Sequence, residues 1–101
     1  MEGNVFEIHQ IEGFDSQGRS FNRDAKIVVT DEGYSAKVNY EGLRVESNIF
    51  PTVEEALREL VLKLQRKGFT RLRTRINFRE ERYLAEREPW IDYPDNLKVT
   101  G

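Results

Sequence analysis

Cysteine is absent from this chain of 101 residues, so disulfides and thiolate chemistry are excluded. Histidine occurs once, at His9, and tryptophan once, at Trp90. A lone histidine with Glu7 two residues before it makes at most half a metal site, because no second histidine or cysteine completes it. The glycines stand singly, so no phosphate-cradling loop or dinucleotide fingerprint can form, and Ser16, Ser20, Ser35 and Ser47 lack a nucleophile-elbow setting. The adjacent acids Glu54-Glu55 and Glu80-Glu81 read as helix-start and surface charge rather than as a general acid and base. No apolar run approaches the ~18 residues of a spanning helix, and the first ten residues lack the basic and apolar regions of a secretory signal. These absences argue against an enzyme, a metal or cofactor protein and a membrane protein. The expectation is a cytoplasmic domain that works by binding, with no cofactor.

What is present is periodicity and charge. Hydrophobic residues make up 38% of the chain and charged residues 34%, a ratio that allows one modest core in a single domain spanning 1–101. The net charge of -2 hides a split: residues 58 to 79 carry +7 and the remainder -9. Such asymmetry points either to an anionic partner or to mutual satisfaction within the fold.

The clearest element is the stretch "TVEEALRELVLKLQRKG", which predicts a helix over 52–67. Thr52 can cap it with Glu55 reaching back, Val53, Ala56, Leu57, Leu60, Val61 and Leu64 form one apolar stripe, and Gly68 suits a left-handed stop. Upstream, "VFEIHQI", "AKIVVT", "YSAKVNY" and "LRVES" have strand period and are separated by turn residues. In "YSAKVNY", Tyr34, Ala36, Val38 and Tyr40 alternate with polar positions. The fold class is therefore α+β: an antiparallel meander of three to four strands, the helix 52–67, then a strand over 70–78, with one main helix on one face.

That last strand, "TRLRTRINF", sets Leu72, Ile76 and Phe78 on one parity and Arg71, Arg73 and Arg75 on the other. The apolar parity is expected to face the helix. The open face then receives the arginines together with Glu7, His9, Lys26, Lys37, Arg44 and Glu46. Such arginines have two uses. They can pair across strands with carboxylates such as Glu7 or Glu46, or, with Arg79, they can contact a nucleic acid or other polyanion. The second use lacks stacking aromatics, since Tyr34, Tyr40 and Phe78 fall on the helix parity.

Residues 79–101 read as a carboxy-terminal extension, packed on the domain or partly mobile. Within it "EERYLAERE" fits a helical turn better than the return arm of a hairpin, and "PWIDYP" is extended because prolines bracket it. Trp90, Ile91 and Tyr93 are the candidate protein-contact residues, either in another subunit or folded back over this core.

The stretch "GYSAKVNYEGLRVESNIFPTVEEALREL" resembles the HicB-like antitoxins and related small uncharacterised domains, through its aromatic and small-residue strand followed by Thr52, Glu54, Glu55 and Ala56 at a helix start. The resemblance covers about residues 33–60. It implies a β-β-β-α-β sheet used for binding and dimerisation, and no functional residue is carried over from it. The link "SNIFP" lacks the glycine usual in that family before the helix, and the stretch after residue 79 is too short and too broken by prolines for a helix-turn-helix. The expected function is a small binding or regulatory module acting through protein contacts, including contact with a second copy of itself, with nucleic-acid or other polyanion binding as the alternative.

Overall fold

Four strands, one helix, a fifth strand and a broken return strand succeed one another in the computed structural model, which describes residues 4–95. The strands are β1 (Asn4–Phe14), β2 (Ser20–Thr30), β3 (Gly33–Tyr40) and β4 (Leu43–Glu46). Helix α1 (Val53–Arg66) leads to β5 (Thr70–Arg79), then to the short β6 (Arg82–Tyr83) and β7 (Ile91–Asp92). The sheet order is β4-β3-β2-β1-β5-β6, with β7 also on β5, and every ladder is antiparallel. The expected α+β meander with one packed helix is the architecture found. No helix among the described residues is long and apolar enough to cross a membrane.

The helix forms where its signals lie. Thr52 is the N-cap, its hydroxyl oxygen accepting from the Glu55 amide at 3.2 Å, while the Thr52 hydroxyl donates to the Glu55 carboxylate at 2.8 Å. Glu55 thus meets the cap side chain rather than the Thr52 amide. Gly68 ends the helix at φ +98°, a value that a Cβ would strain. Ala56, Leu57, Leu60, Val61 and Leu64 are buried, and the helix packs chiefly on β3 and β4. Ile11, Ile27, Ala36, Val38 and Leu72 complete that core from the sheet. Each fully buried aliphatic side chain contributes ~1.5–3 kcal/mol.

Bulges decide which residues face where. In β1 the pairing with β2 slips at Phe6, and the pairing with β5 slips between Ile8 and His9: His9 pairs with Ile76 and Ile8 with Phe78, so Asn77 is the extra residue on β5. Directly opposite residues share a sheet face. Glu7 lies opposite Ile27 and His9 opposite Ala25, both core positions, so Glu7 and His9 lie on the helix side and not on the open face where strict alternation placed them. Ile8 lies opposite Lys26 and Phe78, on the open side, although it is only 8% exposed. The expected helix-facing position of Phe78 is corrected accordingly, together with the open-face placement of Glu7 and His9. The cause is Ile11: it is fully buried against the helix, and counting back from it by twos makes His9 and Glu7 its facemates.

A third bulge shapes the start of β5. Glu12 pairs with Arg73 and Phe14 with Thr70, so Gly13 faces both Arg71 and Leu72. A Cβ on Gly13 would stand 2.7 Å from the Thr70 carbonyl oxygen and 2.8 Å from that of Arg71, so only glycine fits. Arg71 itself takes φ +51°.

After β5 the chain turns back through Glu80 and Glu81, both left-handed at φ 56° and 64°. This two-residue hairpin replaces the expected helical turn, because its strand partners on β5 outweigh the helix propensity of the glutamates. Phe78 then pairs with Tyr83 and Thr74 with Ile91. While β5 advances from 74 to 78, the return chain covers 83 to 91, so four surplus residues lift away from the edge between β6 and β7. Residues 96–101 of the expected extension lie outside the described residues.

Candidate functional site

The arginine strand resolves into unlike members. Arg73 donates through Nε to Glu12 Oε2 at 2.6 Å and forms an ion pair with it, and Glu12 also accepts from Asn22 at 3.1 Å. Arg75, two residues on, donates through Nε to Gln10 Oε1 at 2.8 Å. Gln10 is neutral, and no carboxylate among the described residues forms an ion pair with Arg75. The bulge displaces Arg71 from this row, and its backbone N–H donates to Asp95 at 2.6 Å. Arg79 lies at the far end opposite Glu7 and Arg82. The carboxylates that sequence parity offered, Glu7 and Glu46, are elsewhere: Glu7 holds His9, and Glu46 pairs with Arg44.

Trp90 supplies an aromatic surface that the arginine strand itself lacks. Its ring lies 4.6 Å from the guanidinium carbon of Arg73 and 4.3 Å from that of Arg75, a double cation-π contact. From there the chain crosses the edge of β5 as β7, and Tyr93 reaches the helix side, where it packs on the core and its hydroxyl meets that of Thr74 at 3.1 Å. Burial raises the Tyr93 pKa above its ordinary value, against the Thr74 hydrogen bond. Of the three expected protein-contact residues, Trp90 and Tyr93 are engaged within the fold and Ile91 stays exposed.

Glu7 and His9 form a buried polar pair. Their side chains are 13% and 9% exposed, with His9 Nε2 2.8 Å from Glu7 Oε1. His9 Nδ1 has no hydrogen-bond partner. Burial lowers the His9 pKa, and the hydrogen bond and charge of Glu7 offset that only in part. The neutral ring then donates through Nε2 to the carboxylate and leaves Nδ1 as an acceptor facing protein. Among the described residues no group of three histidine, cysteine or acidic side chains gathers to hold a metal.

A second polar centre was not singled out from sequence. Asp15, 4% exposed at the β1–β2 turn, accepts from the Gln17 and Arg19 amides at 2.9 Å each, from Arg19 Nε at 2.9 Å and from the Tyr40 hydroxyl at 2.8 Å. Burial disfavours its charge, yet the four donors win and hold its pKa at about 2, below the usual 3.8. Tyr40 in turn packs edge-on against Phe69 and tilted against Phe21. An aspartate opening a turn before a glycine and an arginine was the available signal, and its buried partner on β3 was not.

At the opposite end of the sheet lies an apolar corner. Phe6, 40% exposed, lies 5.2 Å ring to ring from Tyr34, and Tyr34 bridges by backbone to Phe50. Ile49, 46% exposed, flanks the same bridge beside Gly33. The bulge at Phe6 makes this corner: it turns Phe6 toward Tyr34 beside Glu7 instead of to the opposite face.

Comparisons with protein-family models, with curated proteins and with solved structures each returned no match to this chain.

Proposed function

We propose that this domain acts by contacting another protein through the apolar corner of Phe6, Tyr34, Ile49 and Phe50, without a chemical step of its own. The observation that carries this reading is the exposure of Phe6 and Ile49 next to two further aromatics at one end of the sheet. Contiguous apolar surface of this kind costs solubility when left in water, and aromatics are enriched in the buried centres of protein interfaces. The reading agrees with the binding and dimerisation that the HicB-like resemblance implies, and a second copy of this chain is the first partner to test. A cytoplasmic setting is part of the same proposal.

The test places a photo-crosslinking residue at Ile49 in the native cell, with the same residue at Gln17 in the β1–β2 turn as a control. Discrete protein adducts at position 49 and none at 17 are expected, and solution mass then tells whether the adduct is a homodimer. Absence of adducts at position 49 would overturn the proposal.

The alternative, a polyanion partner along Arg71, Arg73, Arg75 and Arg79, is favoured by one observation, the Trp90 ring against two of the arginines. Against it, Glu12 neutralises Arg73 and the bulge moves Arg71 out of line. Titrating a labelled oligonucleotide at two salt concentrations separates the readings, since phosphate contacts weaken steeply with salt.

A further inference from the structure

Arg73 and Arg75 stand side by side on one strand, share one tryptophan, and differ in their partners. Arg73 has a carboxylate; Arg75 has an amide. A half-buried guanidinium matched only by a neutral acceptor keeps its full charge and its remaining N–H donors. Beside it the surplus residues of the return chain enclose a recess. The space between Leu84–Arg87 and the sheet is about 210 Å³ and is lined by Gln10, Arg75 and Asn77 from the strands and by Glu86 and Arg87 from the loop. Its donors are two guanidiniums and two amides, against a single carboxylate.

We propose that this recess binds a small oxyanion of phosphate type, held by Arg75 with help from Arg87, Gln10 and Asn77. Gln10 Oε1 is occupied by Arg75 Nε, so its amide N–H groups are left for the anion. Guanidinium N–H pairs suit the geometry of phosphate oxygens, and such charge-assisted bonds are roughly twice as strong as neutral ones. The return strand explains why the recess exists at all. Continuous pairing of 83 to 91 with β5 would lay those residues flat on the strand edge, whereas after Leu84, whose N–H still donates to the Asn77 carbonyl at 2.9 Å, the four-residue surplus lets the chain leave that edge and opens a space beside Arg75. This site is separate from the apolar corner, and neither proposal depends on the other.

Trp90 is the only tryptophan and lies on Arg75, so its fluorescence reads the site directly. The full chain is titrated with inorganic phosphate, with glycerol phosphate, and with chloride at matched ionic strength. A saturable change in Trp90 emission with a phosphate species, absent with chloride, is expected; the tighter of the two species tells whether the natural source is free or esterified. Gln10→Glu supplies Arg75 with the carboxylate that Arg73 already has, and it is expected to weaken binding about tenfold or more by removing one charge-assisted contact and adding repulsion. Thermal unfolding checks that this variant folds; if it does not, Arg87→Gln at the exposed rim is used instead and is expected to weaken binding in the same direction. No saturable response to either phosphate species, or a response unchanged in the folded variant, would overturn the proposal.

Discussion

The two faces of β5 are built from adjacent residues and obey different rules. On the helix side Leu72 and Thr74 are almost wholly buried, Leu72 in the apolar core and Thr74 with its hydroxyl held by Tyr93. On the open side Arg73 and Arg75 are half-buried under Trp90 and owe their positions to single polar partners on β1. The core face tolerates no change of size, because packing there is close to that of a crystal. The open face tolerates substitution and can therefore carry charge for purposes other than stability.

Breaking the helix side has the largest expected effect. Leu72→Ala, at 1% exposure, is expected to cost ~2–5 kcal/mol of stability, read by denaturant unfolding. Arg75→Ala is expected to cost less than ~1 kcal/mol in the same assay, which sets the contrast between the faces.

Acid sharpens a second contrast, between the fully satisfied Asp15 and the half-satisfied His9. His9 is held neutral in the fold by burial, so its pKa lies below the ordinary 6.5. The unfolded chain therefore takes up the proton first, and stability present above pH 6.5 is lost as pH falls below it. Asp15 has a folded pKa of about 2 against an ordinary 3.8, so its contribution persists above pH 3.8 and is lost as pH falls from there to about 2. Unfolding tracked from pH 8 to 2 should show both losses. His9→Phe is expected to flatten the profile near pH 6.5, and Asp15→Asn to flatten its acid end.

A smaller gain is expected at the β5–β6 turn. Glu80 and Glu81 both occupy the left-handed region that asparagine and glycine adopt cheaply. Glu80→Asn with Glu81→Gly should raise stability by ~1 kcal/mol, measured as a shift in the unfolding midpoint. No gain would mean that this turn is held by something other than its backbone preference.

The helix was legible in sequence because its cap, stripe and stop are local, and each is found at the expected residue. The meander was legible for a similar reason: Asp31-Glu32 and Glu41-Gly42 join strands over two residues each. The faces of β1 were less so. "VFEIHQI" offers apolar residues on both parities; the buried Ile11 sets the helix side for His9 and leaves Ile8 on the other, and the bulge at Asn77 turns Phe78 to the side of Ile8. The return hairpin was hidden because two glutamates in a tight turn carry helix propensity and none of the usual turn residues. Nor could spacing reveal that Arg73 would meet Glu12 and Arg75 Gln10: those partners lie sixty-one and sixty-five residues away, set by register across the bulges.

That unequal pairing is best measured by two double-mutant cycles run in parallel, Arg73→Ala with Glu12→Ala and Arg75→Ala with Gln10→Ala. The ion pair should show a coupling of ~0.5–1 kcal/mol that shrinks in high salt, and the arginine-amide pair a smaller coupling that salt leaves unchanged. Equal couplings with the same salt response, or a stronger one for Arg75 and Gln10, would contradict the division of the arginine strand into one member that serves the sheet and one left open to an anion.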